Sequence, residues 1–220
     1  MLPFAAELNA IIDRALVEDL ALGDPTTAAL IPPHLEGTGR LAAREPGVLA
    51  GIGVALAVFK RLDPGIETSA LLLDGDRLEA GSVAAVVRGP LAGILGAERT
   101  ALNFAQRMSG IATMTDRFVQ AVRGTKALIV DTRKTAPGLR ALDKMAVAIG
   151  GGRNHRRNLG DGILIKDNHC AALQAEGVSL PQIVRRARVR ASHTLRVEVE
   201  VESVEEVRAA VEAGADIVML

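Results

Sequence analysis

The stretch Leu195-Arg-Val-Glu-Val-Glu-Val-Glu-Ser-Val-Glu-Glu-Val-Arg-Ala-Ala-Val-Glu-Ala-Gly-Ala-Asp-Ile-Val-Met-Leu220 carries the fold class. Leu195–Val199 reads as a strand, Val204–Ala213 has apolar residues at helical spacing, and Ile217–Leu220 is a second short apolar run. A strand, a helix and another strand in so short a space form a parallel βα unit, because parallel strands need a crossover between them. Upstream, Lys126–Val130 and Ile163–Ile165 read as two more buried-type strands, and Leu180–Ser192 as a helix. Residues 126–220 are therefore expected to form parallel βα units with four strands. A closed eight-stranded barrel takes about 250 residues by itself, so either the sheet is small and open or the chain is truncated. The last strand has no helix after it to cover its edge, and the expectation is a chain truncated at its C-terminal side.

Residues 1–115 follow a different pattern. Leu8, Ile11, Ile12, Ala15, Leu16 and Leu20 mark one face of a helix over 5–22, which Gly23-Asp24-Pro25 ends in a turn. Three strands are predicted at 37–44, 68–73 and 83–88, with a short helix at 54–61 and a hairpin-type turn at Asp74-Gly75-Asp76. A long helix is expected over 98–123, with Gly110 bending it or allowing close packing. The fold class that results is α/β, with a small antiparallel sheet and helices on it in the N-terminal half and parallel βα units after it.

Composition narrows the function. The chain of 220 residues has 26 Lys plus Arg and 26 Asp plus Glu, a balance that argues against a general binder of nucleic acid or anionic membrane. With no Trp, no Tyr and four Phe, platforms for stacking bases are nearly absent. The one cysteine, Cys170, excludes an intrachain disulfide and reads as a spectator thiol. No apolar run approaches the ~20 residues of a membrane span, and the first residues lack a secretory signal. A cytoplasmic protein is expected.

Charge gathers at the C-terminal ends of the βα strands, where ligands bind in α/β folds. The first strand runs into Asp131-Thr132-Arg133-Lys134-Thr135, the second into Lys166-Asp167-Asn168-His169, and the third carries Glu198, Glu200 and Glu202 at period two. Asp131 and Arg133 are expected on one strand face, as are Lys166 and Asn168. Solvated surface ion pairs are the alternative, but three successive strand ends favour a site. Gly150-Gly151-Gly152 precedes Arg153-Asn154-His155-Arg156. Such a loop is either flexible or shaped for close approach to an anion, with guanidinium to grip a carboxylate at two points. Arg133, Lys134, His155, Arg156 and Lys166 thus suggest a small, multiply anionic substrate, and the nearby carboxylates a divalent metal bridging phosphates.

These strings together resemble the quinolinate phosphoribosyltransferases. The likeness rests on Asp131-Thr-Arg-Lys-Thr-Ala-Pro-Gly-Leu-Arg140, Gly150-Gly-Gly-Arg-Asn-His-Arg156 and Leu164-Ile-Lys-Asp-Asn-His169. Glu18-Asp-Leu20, Gly23-Asp24 with Thr26-Thr27, Glu98-Arg-Thr-Ala-Leu-Asn103, Arg107-Met-Ser-Gly-Ile-Ala-Thr113 and Glu198-Val-Glu200 support it.

The resemblance implies a phosphoribosyltransferase that converts quinolinate and phosphoribosyl pyrophosphate to nicotinate mononucleotide, pyrophosphate and carbon dioxide, a step of NAD biosynthesis. It implies an N-terminal mixed α/β sandwich domain over 1–115 followed by an incomplete, open α/β barrel over 116–220, magnesium as cofactor, and a homodimer with shared sites. Arg133, His155, Arg156 and Lys166 would bind the two carboxylates of quinolinate, and Thr132 would join the substrate-binding set. Arg99 would reach a neighbouring subunit's site. Lys134 would face both substrates, and Lys134, Lys166 and Glu200 would be the catalytic residues, with Glu200 also serving the metal. Met145 stands where the family usually has Tyr, and Asn158 where Gly is usual. The family pattern also continues past Leu220 with an Asp-Asn pair and Gly-rich phosphate loops. Rival resemblances are a molybdenum-transport-associated relative, a nicotinate phosphoribosyltransferase and a non-catalytic fragment of the family. Asp74–Gly81 also resembles the turn of biotin- or lipoate-carrying modules, without their carrier lysine.

Overall fold

The structure is a computed structural model that describes residues 5–220; the reading of the first residues as lacking a signal falls partly on 1–4, outside them. Contacts divide the chain into two compact units, one ending at His155 and the other running from Arg156 to Leu220. The border expected at 115/116 falls inside one unbroken helix.

The first unit begins with α1 (Ala5–Leu20), which buries Ile11, Ile12 and Leu16. Gly23, at φ +76°, bonds back from its N–H to the Leu20 carbonyl and ends it. The expected turn at Asp24-Pro25 is a helix start instead. Asp24 accepts the Thr27 N–H at 3.0 Å and Pro25 occupies the first turn of α2 (Pro25–Leu30), a pairing in which the missing proline N–H costs nothing.

Next come β1 (Glu36–Ala42), β2 (Gly47–Val48), α3 (Ile52–Leu62), β3 (Glu67–Ala70), β4 (Arg77–Leu78) and β5 (Val83–Pro90). The main sheet is antiparallel in the order β1-β5-β3, and β2 pairs with β4 separately. Asp74-Gly75-Asp76 therefore joins strands of two different sheets and is not a hairpin turn. Its aspartates do structural work there: Asp74 accepts the first N–H of α3 at Ile52, and Asp76 accepts Leu73 N–H.

The long helix, α4 (Leu91–Ala121), starts seven residues before the predicted 98. With α1 and α3 it closes the core, in which Ile12, Val58, Phe59, Ile66 and Met108 are at most 2% exposed. Space lies open where a Cβ would sit at Gly110, so that glycine is not required for packing. After α4, the predicted strand over 126–130 does not form. It makes one isolated bridge, Val130 beside Arg153, and Leu128 and Val130 are more than half exposed. Two main-chain bonds and uncovered side chains are too little to sustain a strand. α5 (Arg140–Ile149), which the apolar pattern did not announce, packs on α4 through Leu142 and Ala146.

The second unit holds the parallel sheet foreseen from the 195–220 stretch. Its elements are β6 (Ile163–Ile165), α6 (Asp167–Gln174), α7 (Leu180–Arg190), β7 (Val197–Glu200), α8 (Val204–Glu212) and β8 (Ile217–Met219), with strand order β6-β7-β8. Val184, Val197, Val199 and Ala210 are fully buried in its own core. Lys166 does not continue β6: it is the N-cap of α6, and Asp167-Asn168-His169 form the first turn of that helix. Lys166 and Asn168 accordingly share no strand face. The N-cap amide of Lys166 donates to His169 Nδ1 at 2.9 Å, which holds the turn tight.

Candidate functional site

In the first unit the structure brings two predicted cations onto adjoining segments. Arg153 N–H donates to the Ile129 carbonyl and Asp131 N–H to the Arg153 carbonyl, at 2.8 and 3.0 Å, so 129–131 runs beside 153–155. Asp131 was expected to share a strand face with Arg133, pointing into the mouth. Its side chain is instead buried, with Oδ1 2.5 Å from Lys144 Nζ and 2.7 Å from the His155 main-chain N, which donates to it. Lys144 Nζ also donates to the His155 carbonyl at 3.0 Å. Arg133 follows two residues after Asp131 on one segment, and His155 ends the other.

Arg133 has a buried Nε with no hydrogen-bond partner, the one such side-chain nitrogen or oxygen among the described residues. An orphaned buried donor costs about 1–3 kcal/mol, a cost that a purely structural arginine has no reason to carry. Thr132 Oγ accepts the Lys134 N–H at 3.0 Å, which bends the segment and leaves the Lys134 side chain exposed. Downstream, Arg107 on α4 grips Asp143 on α5 through two bonds of 2.8 Å, and Asp143 accepts the Ala136 N–H as well. The hydrogen bonds to Asp143 raise the affinity of the Arg107 guanidinium for its proton. The adjacent α5 residues Asp143 and Lys144 thus anchor both ends of the 131–136 segment.

The glycine triplet serves packing more than ligand approach. A Cβ on Gly150 would stand 2.4 Å from the Ala112 carbonyl of α4, and one on Gly152 would stand 2.8 Å from side-chain atoms of Thr115 and Val147. Only Gly151, at φ +87°, needs the left-handed region.

In the second unit, Ile165 and Val199 are the last partners in the parallel β6–β7 ladder; Lys166 and Glu200 are the residues that follow them, at the C-terminal side of the sheet. Arg156 donates to the Gly162 carbonyl at 3.4 Å. Of the three period-two glutamates, Glu198 is buried within the strand, Glu200 is half-buried at its end, and Glu202 lies beyond it, exposed. Burial first, then the charges of Glu206, Asp167 and Glu200, push the Cys170 thiol up, so it stays protonated at neutral pH and is a poor nucleophile.

Arg99 is exposed on α4 and makes no hydrogen bond or ion pair among the described residues. A cleft of about 320 Å³ in the first unit, lined by Arg14, Glu18, Asp19, Asn103, Arg107 and Gly138 among others, includes none of the predicted site residues. Sequence reading missed Lys144. Its only signal was a charged pair, Asp143-Lys144, set between the apolar residues Leu142 and Met145-Ala146 of a short helix.

Residues 24–109 match the N-terminal domain model of quinolinate phosphoribosyl transferase, and residues 111–220 match the C-terminal domain model. The chain belongs to the quinolinate phosphoribosyl transferase family. It is 48% identical over 213 residues to the nicotinate-nucleotide pyrophosphorylase [carboxylating] of Mycobacterium leprae, covering 95% of this chain and 73% of that one. It is 40% identical over 213 residues to the probable enzyme of the same name from Bacillus subtilis, covering 97% and 72%. The crystal structure of NadC from Streptococcus pyogenes superposes with a TM-score of 0.94 at 40% identity, covering all of this chain and 76% of that one. As a quinolinate phosphoribosyl transferase family member the chain is a phosphoribosyltransferase, and its mixed α/β architecture is that of the family's solved structures.

Magnesium is the metal the family resemblance implies. The described residues contain no group of three or more His, Cys, Asp or Glu able to hold an ion. Glu200 stands at the end of β7, where its ladder partner is Met219 of β8. Magnesium binds through one or two carboxylates plus substrate phosphates and keeps several waters. This donor set fits an ion that arrives with a pyrophosphate group, and not a resident one.

Proposed function

We propose that this chain transfers the phosphoribosyl group of phosphoribosyl pyrophosphate to quinolinate with loss of carbon dioxide, giving nicotinate mononucleotide and pyrophosphate. The observation that carries the reading is the pair of family matches, which together take in residues 24–109 and 111–220, with the cation set of the motifs in place. The relatives' carboxylating activity favours this reaction over that of the molybdenum-transport-associated relative. The two family models also support a domain division near 115/116.

In this reading Arg133, His155, Arg156 and Lys166 recognise the two carboxylates of quinolinate, with Thr132 shaping the Arg133 segment. Two carboxylates need paired cations, and charge-assisted bonds to them are roughly twice as strong as neutral ones. Lys134 faces the phosphoribosyl donor. As pyrophosphate leaves, positive charge grows on the ribose and negative charge on the departing oxygens; Lys134 and Lys166 stabilise the latter and Glu200 the former. Glu200 would be the protein ligand of a magnesium ion, which would supply neutralisation of the leaving pyrophosphate. Ribosylation makes the ring nitrogen positive, which eases loss of the neighbouring carboxylate as carbon dioxide. The ring carbon that loses carbon dioxide takes up a proton in its place; the residues otherwise hold, orient and neutralise, and little general acid–base chemistry is required of the protein.

A homodimer in which Arg99 completes the neighbour's site, in the cytoplasm, accords with the exposure of Arg99 and with the lack of any described helix long and apolar enough to cross a membrane. Incubation with quinolinate labelled in the 2-carboxylate tests the reaction. Labelled carbon dioxide and pyrophosphate are expected in equal amounts, dependent on magnesium. Pyrophosphate release without carbon dioxide would overturn the assignment.

A further inference from the structure

Two of the proposed substrate cations, Arg133 and His155, lie on segments that one buried ion pair ties together. The Asp131 and Lys144 side chains are 7% and 5% exposed. Recognition of a dicarboxylate does not call on this pair, and a buried pair gains little stability over apolar residues of the same volume. Its partners are specific, however. It holds the His155 main chain from both sides: Asp131 Oδ1 accepts the His155 N–H, and Lys144 Nζ donates to the His155 carbonyl. With its amide nitrogen turned to them, Asn154 donates to Asp131 Oδ2 and to the Lys144 carbonyl, each at 2.8 Å. Without these bonds, the register of the two segments would rest on the two main-chain bonds around Arg153. Charge-assisted bonds are shorter and more directional than apolar packing, so they define where His155 stands relative to the segment that presents Arg133.

We propose that the Asp131–Lys144 pair is a positioning device for the substrate cations, fixing the His155 main chain against the Arg133 segment and so setting the preference for two carboxylates over one. The proposal rests on the quinolinate reading above. Its test is the double variant Asp131→Leu/Lys144→Met, which removes both charges at similar volume and leaves no lone buried charge. Three quantities are measured on the full chain: thermal unfolding, calorimetric affinity for quinolinate and for nicotinate, and hydrogen exchange of the His155 amide. The expected variant unfolds cooperatively, exchanges the His155 amide faster, and loses at least about tenfold in quinolinate affinity while nicotinate affinity stays within about twofold. Asp131→Asn, nearly isosteric, is measured alongside in case the double variant does not fold, and shows a smaller change in the same direction. Unchanged quinolinate preference in a folded variant, or an unchanged His155 exchange rate, overturns the proposal. If the unmodified chain itself does not prefer quinolinate to nicotinate, the functional reading fails; His155 exchange then decides the positioning claim alone, supporting it if protection is lost and overturning it if protection stays.

Discussion

Asp131 and Asp216 solve one problem in the same way, one in each unit. Each carboxylate accepts a main-chain N–H from a neighbouring segment while pairing with a cation: His155 and Lys144 for Asp131, Val197 and Arg188 for Asp216. Asp216 N–H also donates to the Val197 carbonyl, so the residue joins the start of β8 to the start of β7. The Val197 hydrogen bond, followed by the nearby Arg188, holds the Asp216 carboxyl below its usual value of 3.8. A lowered folded-state value means that the contribution to stability is complete above pH 3.8 and is lost as pH falls through the lower, folded-state value. Acid titration of the unfolding free energy should therefore show a loss below pH 3.8 that Asp216→Asn reduces, with the variant already less stable at neutral pH. Identical acid limbs in the two proteins would remove Asp216 from that role. Such aspartates are hard to recognise in sequence, because a charged residue beside a strand looks the same whether it faces a ligand or turns back onto the main chain. Asp131 was read as facing outward for that reason.

Among the elements, the three strands of the second unit and the helices α7 and α8 were legible, because continuous aliphatic runs alternating with helical spacing leave few other solutions. The elements missed were short or carried motif residues. α2 and α6 open on capping residues that also suit turns, and α5 hides between two motifs. The predicted strand at 126–130 has the right composition but lacks a strand partner among the described residues, and composition does not reveal pairing. The glycine triplet looked like a ligand loop, whereas Gly150 exists to let α5 end against α4. Adding one methyl there drives a Cβ to 2.4 Å from the Ala112 carbonyl, a backbone atom that cannot rotate away. Gly150→Ala should cost roughly 1–3 kcal/mol in urea unfolding, the usual range for overpacking. At Gly110, where space is open, Ala should instead be neutral or stabilising, since it suits a helix interior better than Gly by about 0.8–1 kcal/mol. Equal effects at both positions would mean that the close approach of Gly150 to α4 does not set the cost of its substitution.

For the whole molecule, the site was legible as a charge inventory but not as a geometry. The sequence separates the cations over three motifs; the fold joins the Arg133 and His155 segments through Asp131 and has Lys166 and Glu200 follow the last pair of the β6–β7 ladder, at one end of the sheet. Arg99, exposed on α4, has its proposed task in a second copy of the chain. Subunits carrying Arg99→Ala and subunits carrying Lys166→Ala, each inactive alone, should regain part of the activity when mixed under conditions where subunits exchange, because one kind of hybrid site has both residues. Persistent inactivity with exchange demonstrated would mean self-contained sites. The central claim is recognition of a dicarboxylate by paired cations, and calorimetry of quinolinate against nicotinate measures it most directly. Loss of one charge-assisted contact is worth roughly 1.5–3 kcal/mol, so quinolinate should bind about ten- to a hundredfold more tightly than nicotinate. Arg133→Ala or Arg156→Ala should bring the two affinities together. Equal binding of the two acids by the unmodified protein, or an undiminished preference in both variants, would contradict the account.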